Sequence, residues 1–220
     1  SWSCFNSPYH AMVLEQGFQI MTVNFSGSYG FGKQFNERLA GKIGELDIEE
    51  ILAILKQLDG KYDKDQLFFD GGSYSGYQSF VFLQKHPHLF KGIVSRNPVV
   101  DLIYSMASTD IPEWNWIEAL GECKFDCTKE PTDDQILTFK KFSPALNSFD
   151  PTSKTKVLLI LGDSDKRVPP GAAYALYRRL KAQGQDIQCL VFPGEGHRIA
   201  KSKHVFDIML NVLNLMLGFK

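Results

Sequence analysis

Cysteine is scarce in this sequence, and its positions are scattered. Four cysteines occur among 220 residues: Cys4, Cys123, Cys127 and Cys189. A domain of this length does not depend on disulfide bonds, and such sparse usage suits a reducing compartment, so we expect a cytoplasmic protein. Cys123 and Cys127 lack the second pair of ligands that structural zinc sites use, so we expect no metal.

Long hydrophobic runs and an excess of one charge are also missing. No stretch reaches the roughly 18 uncharged apolar residues of a membrane span, and the first residues do not have the layout of a signal peptide. The formal net charge is −1, so the charge balance predicts neither nucleic acid nor a membrane as a partner. Hydrophobic residues make up 44% of the chain, which is sufficient for one well-buried α/β domain over residues 1–220.

Short apolar runs alternate with helical patterns along the chain. The runs predict strands at residues 18–25, 66–71, 92–95, 157–162 and 188–192. Helices are predicted at residues 48–58, from near 75 to 85, at 169–183 and over the last segment, with short helical pieces between 99 and 150. This alternation is typical of a parallel sheet with helices on both faces, whose functional groups gather at the carboxyl ends of the strands.

A serine stands where the second of these runs gives way to a helix. Residues 71–76 read G-G-S-Y-S-G, close to the G-x-S-x-G turn that exposes a nucleophilic serine. Gly71 fits that template, and Ser75 replaces its second glycine with another small residue. We therefore predict Ser73 as a nucleophile, with the N-terminus of the helix directed at a developing oxyanion. The alternative is a plain glycine turn between a strand and a helix.

An acid and a base follow the last two predicted strands. Asp163 and Asp165 come directly after residues 157–162, and His197 follows residues 188–192 inside a glycine-flanked loop. Serine, aspartate and histidine in this order are typical of α/β-hydrolases, in which the serine attacks, the histidine moves its proton and the aspartate orients the imidazole. From the residues alone Asp165 is the preferred acid, and Asp163 remains the alternative.

Three other histidines fit surface roles better. His86 and His88 flank Pro87 at a helix end. His204 lies in the polar opening of the last helix, and we expect it to be solvated.

Five segments together resemble the catalytic domain of acylaminoacyl-peptidases, in the prolyl oligopeptidase family of serine peptidases. Residues 24–32 are similar to the family's N-Y-R-G-S-x-G-F-G, and residues 71–77 to its G-G-S-H-G-G-F. Residues 96–99 match R-N-P-V, residues 108–114 are close to S-T-D-I-P-D-W, and residues 162–169 to G-x-x-D-R-R-V-P. The S-T-D-I-P-D-W segment is the most specific, because α/β-hydrolases in general do not share it.

The resemblance implies a fold, a triad and a reaction. The fold is an α/β-hydrolase fold, and the catalytic residues are Ser73, Asp165 and His197. The reaction is the release of an N-acylated amino acid from the blocked end of a short peptide, without a cofactor, and we expect a homo-oligomer. Arg167 matches an arginine that lies near carbonyl oxygens of the substrate, and its alternative is a surface role. Ile111 and Trp114 could line the pocket for the acylated residue or serve only packing.

The chain also departs from the family pattern. Ser75 replaces a glycine and Ser26 an arginine, and the H-G-G-P loop that completes the family's oxyanion hole is not found. The backbone N–H of Tyr74 is then the one predicted oxyanion donor. We expect the first strands of the sheet, and a β-propeller, to lie upstream of residue 1. A carboxylesterase of the same fold, or an inactive interaction domain, would be the alternatives to a peptidase.

Overall fold

The computed structural model describes residues 8–121, 126 and 128–218. Cys4, Cys123 and Cys127, on which the prediction about zinc depends, lie outside these residues. Within them, no group of three or more histidine, cysteine or acidic side chains is placed to hold a metal ion. None of the described helices combines the length and the apolar character needed to span a membrane.

Four parallel strands form the sheet. They are β1 (Phe68–Gly72), β2 (Gly92–Arg96), β3 (Lys156–Gly162) and β4 (Ile187–Phe192), and they lie side by side in that order. The pairing is in register from Phe68 opposite Gly92 to Gly162 opposite Phe192. Since all four strands run the same way, their carboxyl ends meet at one edge of the sheet, and each strand matches a predicted one to within two residues.

Nine α-helices accompany the strands in the described part of the chain. They are α1 (Pro8–Glu15), α2 (Lys33–Glu37), α3 (Leu46–Gln57), α4 (Tyr74–Lys85), α5 (Leu102–Ser108), α6 (Glu113–Asn115), α7 (Asp133–Phe142), α8 (Gly171–Ala182) and α9 (Ser202–Leu217). A π-helical turn (Trp116–Leu120) and two 3₁₀ turns (Lys64–Gln66 and Pro144–Leu146) complete the set. The predicted short helical pieces between residues 99 and 150 are confirmed.

The core lies on both faces of the sheet, because successive side chains of each buried strand point to opposite sides. Leu159 and Leu161 of β3 pack into one cluster, which also contains Phe80 of α4 and Leu176 of α8. The intervening side chains of β3 belong to a second cluster together with Ile208 and Val212 of α9. Helices on both faces of a parallel sheet confirm the predicted α/β-hydrolase architecture.

The predicted strand at residues 18–25 is wrong. This segment has no strand structure, although the ring of Phe18 packs edge-on against that of Phe68 at a centroid distance of 5.7 Å. A strand needs a neighbour for its backbone hydrogen bonds, and among the described residues β1 pairs only with β2. The segment instead lines one wall of a groove of about 820 Å³, whose other walls include residues of β1 and α9.

Candidate active site

Ser73 lies in a strained turn between β1 and α4. Its backbone has φ 57° and ψ −116°, a region that residues with side chains rarely adopt. The turn is held by the backbone N–H of Ser73, which donates to the carbonyl oxygen of Arg96 at 2.8 Å, and by the N–H of Tyr77, which donates to the carbonyl of Ser73 at 3.0 Å. A serine held in this conformation matches the geometry predicted for a nucleophile elbow.

The two substitutions relative to the family pattern, Ser75 and Ser26, fit their surroundings. A β-carbon at Gly71 would lie 2.5 Å from the carbonyl oxygen of Ser75 and 2.8 Å from its β-carbon. Since Gly71 has no side chain, a serine at position 75 is accommodated. Ser26 is fully buried, and both its N–H and its hydroxyl donate to the Glu50 carboxylate at 2.7 Å.

Asp165 and His197 meet at the carboxyl edge of the sheet. We call residues 163–170, after β3, the acid loop and residues 193–201, after β4, the base loop. Nδ1 of His197 donates to Oδ2 of Asp165 at 2.8 Å. The other carboxylate oxygen of Asp165 accepts from the N–H groups of Arg167 at 2.8 Å and Val168 at 3.0 Å. The acid is therefore fixed by its own loop, and the imidazole turns Nε2 away from it.

Asp163 makes a different set of contacts. Its Oδ1 accepts from the N–H of Gly194 at 2.7 Å and from the hydroxyl of Ser164 at 2.9 Å. It therefore ties the acid loop to the base loop, while the carboxylate that contacts His197 belongs to Asp165.

Tyr74, the predicted oxyanion donor, is the first residue of α4, where backbone N–H groups have no acceptor within the helix. Its hydroxyl donates to Oδ2 of Asp47 at 2.7 Å, and the side-chain amide of Gln78 donates to the same oxygen at 2.7 Å. Asp47 is fully buried in α3, and this burial raises the pKa of its carboxyl. No motif or spacing in the sequence indicates that Asp47 anchors the N-terminus of α4.

Arg167 is paired with Asp110. Its Nε donates to Oδ1 of Asp110 at 2.6 Å, and this hydrogen bond lowers the pKa of the Asp110 carboxyl. Two further bonds join the same segments: Thr109 Oγ1 to the carbonyl of Arg167 at 2.6 Å, and the N–H of Asp110 to the carbonyl of Lys166 at 3.0 Å. The guanidinium is thus oriented at the rim of the site, with 45% of the Arg167 side chain exposed.

The two predicted pocket residues follow Asp110. The indole of Trp114 packs edge-on against the ring of Tyr74 at a centroid distance of 6.0 Å, next to the predicted oxyanion donor. Ile111 is half-buried at the start of the same turn, where its carbonyl accepts from the N–H of Trp114 at 3.1 Å. The structure thus brings Trp114 beside Tyr74.

The prediction that His204 is solvated is wrong. Its Nδ1 lies 2.7 Å from Oε1 of Glu195, and its ring packs on Phe192 at a centroid distance of 4.9 Å. Glu195 is buried and also accepts from the N–H of Ala200 at 3.1 Å. His204 is shielded because it lies on the inner side of α9, although its neighbours in sequence are polar. The His204–Glu195 contact connects the base loop to that helix.

The comparisons with known proteins agree with this geometry. Residues 5–217 match the prolyl oligopeptidase family. The chain belongs to the prolyl oligopeptidase family. This prolyl oligopeptidase domain is 32% identical over 205 residues to acylamino-acid-releasing enzyme 1 of Oryza sativa subsp. japonica, covering 92% of this chain and 26% of the rice protein. It is 31% identical to the acylamino-acid-releasing enzyme of Sus scrofa, covering 92% of this chain and 28% of that protein.

Solved structures of peptidases share the fold. The puromycin-hydrolyzing peptidase of Mycobacterium tuberculosis superposes on the prolyl oligopeptidase domain with a TM-score of 0.77 at 26% sequence identity, covering 90% of this chain and 29% of that chain. The chain therefore spans between a quarter and a third of the length of the proteins that it resembles.

Proposed function

We propose that this chain carries the catalytic centre of a serine peptidase that releases an N-acylated amino acid from the blocked N-terminus of short peptides. The observation that carries the proposal is the Asp165–His197 hydrogen bond at the sheet edge where the strained Ser73 also lies. The relatives support the substrate class, since those of rice and pig are named for releasing acylamino acids.

The reaction follows from the placement of the groups. Ser73 Oγ attacks the carbonyl carbon of the acylated residue, and Nε2 of His197 accepts the hydroxyl proton. The Asp165 carboxylate stabilises the imidazolium that forms, and the N–H of Tyr74 donates to the oxyanion. His197 then returns the proton to the leaving amine, which gives an acyl-enzyme. Water, deprotonated by His197, attacks this ester, and the acylamino acid leaves as Ser73 regains its proton.

Substrate binding is assigned to the segment that packs beside the acid loop. The guanidinium of Arg167 supplies N–H donors for the carbonyl oxygens of the acylated residue, and Asp110 keeps the fork in one orientation. Trp114 packs beside Tyr74, and its apolar surface, together with that of Ile111 in the same turn, suits the side chain of the acylated residue.

Turnover of matched substrates tests the proposal. The purified full-length protein is given an N-acetylated tripeptide, the same tripeptide with a free amino terminus, and a p-nitrophenyl ester. We expect release of the acetylated amino acid, slow or no cleavage of the free tripeptide, and loss of activity in Ser73→Ala. Ester hydrolysis without peptide cleavage would instead indicate a carboxylesterase. A folded protein that turns over none of the three would contradict an enzymatic function.

A further inference from the structure

We propose that Asn97 is a positioning residue, which holds the acid loop and the base loop together so that His197 is oriented toward Ser73. The expected effect of Asn97 on turnover rests on the proposed function. Its expected effect on the orientation of the His197 imidazole rests on geometry alone. Asn97 directly follows β2, at the carboxyl edge of the sheet.

The side-chain amide of Asn97 uses both of its ends. Its Oδ1 accepts from the backbone N–H of Gly162 at 2.8 Å, at the point where the acid loop begins. Its Nδ2 donates to the carbonyl oxygens of His197 at 3.0 Å and Gly196 at 3.4 Å in the base loop. The side chain of Asn97 thus connects the end of β3, which precedes Asp165, to the backbone of His197.

The residue before Asn97 contacts the nucleophile. The carbonyl oxygen of the preceding residue, Arg96, accepts the N–H of Ser73 at 2.8 Å, and the N–H of Asn97 donates to the carbonyl of Ile160 at 2.8 Å. Two consecutive residues therefore contact the backbone of the nucleophile and the backbone of the base. A shift of Asn97 would move His197 relative to Ser73.

The local conformation suits asparagine. Asn97 has φ 41°, in the left-handed region where asparagine is among the best tolerated residues with a side chain. It is 3% exposed, and the Gly162 N–H that it binds is also buried, so water is a poor substitute partner there. A misplacement of about 1 Å can lower a rate by about 10²-fold. Because the contacts of Asn97 orient His197, we expect their loss to slow the chemical step more than it weakens substrate binding.

Three variants test the role. Asn97→Ala removes all three side-chain hydrogen bonds. Asn97→Asp keeps an acceptor for the Gly162 N–H. It replaces the amide donor with a second carboxylate oxygen, which cannot donate to the His197 carbonyl. Asn97→Gly removes the side chain while adopting φ 41° without strain, so it guards against a simple folding failure. Asn147→Ala is the matched control, because Asn147 Nδ2 also donates to backbone carbonyls, at 2.8 Å to Ser143 and 3.1 Å to Lys140, in a segment that follows α7.

Two readouts separate the role from stability and from the proposed function. In the full-length protein we expect the Asn97 variants to lower kcat for the acetylated tripeptide and the labelling rate of Ser73 by a fluorophosphonate, by up to about 10²-fold, with little change in KM. Asn147 is half-buried, so Asn147→Ala should cost no more free energy of unfolding than Asn97→Ala, and it should leave both rates unchanged. We also expect the low-field proton resonance of the His197 Nδ1–H to shift or broaden in the Asn97 variants and to stay in place in Asn147→Ala.

The outcomes are distinct. If the wild-type protein has no turnover or labelling, the proposed function is wrong, and the proton resonance alone decides the role of Asn97. If folded Asn97→Ala and Asn97→Gly keep the wild-type resonance and, where the wild type is active, its rates, the positioning role is overturned.

Discussion

Gly162 and Glu195 approach so closely that no side chain fits between them. The carbonyl oxygen of Glu195 lies 2.5 Å from the position that a β-carbon on Gly162 would take, and that of Gly196 lies 2.6 Å from it. Gly162 ends β3 before the acid loop, and Glu195 belongs to the base loop. The Asp165–His197 contact therefore depends on a close backbone approach of two strand ends as well as on the two side chains.

Gly162→Ala should separate the acid loop from the base loop. We expect a loss of roughly 1–3 kcal/mol in the free energy of unfolding from overpacking and a fall in kcat of about 10²-fold from misplacement of His197. Gly196→Ala is the matched control, because the nearest atom to its added β-carbon is the Ser164 carbonyl oxygen at 4.0 Å. Urea unfolding and peptide turnover measure both effects, and equal behaviour of the two variants would contradict this packing.

The two aspartates of the acid loop should differ in their effect on turnover. Asp165→Asn places an amide where a carboxylate orients and stabilises His197, and we expect kcat to fall by about 10⁴-fold. Asp163→Asn keeps an oxygen that can accept from Gly194 and should cost far less. Steady-state kinetics on the acetylated tripeptide measures the difference. Equal losses would mean that the conformation of the loop matters more than the Asp165 carboxylate.

Arg167 should act on substrate binding. Removing a charged hydrogen-bond donor costs roughly 1.5–3 kcal/mol, so Arg167→Ala should lower kcat/KM by about ten- to a hundredfold, mainly through KM. Asp110→Asn keeps an acceptor for the guanidinium, so its loss should be smaller. Arg178→Ala, on the exposed face of α8, is the control and should match the wild type. A change in kcat alone for Arg167→Ala would contradict a binding role.

Asp47 should make stability depend on pH. Because burial raises its pKa above the ordinary 3.8, the folded state holds this proton more tightly than the unfolded state does. Its contribution is fully present below about pH 4, falls as pH rises toward the raised pKa, and is constant above that value. Asp47→Asn removes this dependence, so the free energy of unfolding of the variant relative to wild type should increase upward from about pH 4. Urea unfolding at pH 4, 5, 6 and 7 measures it, and a constant difference would contradict the raised pKa.

Local patterns in the sequence predicted most of the fold. Each of the four strands is a short apolar run that ends near a turn or a polar loop, and such a run is recognisable without knowledge of its neighbours. Residues 18–25 have the same composition, yet no strand forms there, because strand structure also requires a pairing partner. Whether such a segment forms a strand depends on a pairing strand that is distant in the sequence.

The sequence predicted the catalytic residues of the candidate site, but not the residues that hold them in place. Ser73, Asp165 and His197 each follow a strand, so their shared edge could be inferred. Asn97 and Glu195 act through contacts across loops: Asn97 reaches a residue 100 positions away. No periodicity or spacing in one sequence reports such a bond.

The most direct measurement is the site of covalent modification by a fluorophosphonate, mapped by mass spectrometry of peptides from the full-length protein. We predict that the adduct lies on Ser73, that Ser73→Ala abolishes it, and that Ser75→Ala, already in the first turn of α4, retains it. An adduct on Ser75, or labelling that persists in Ser73→Ala, would contradict the account of this site.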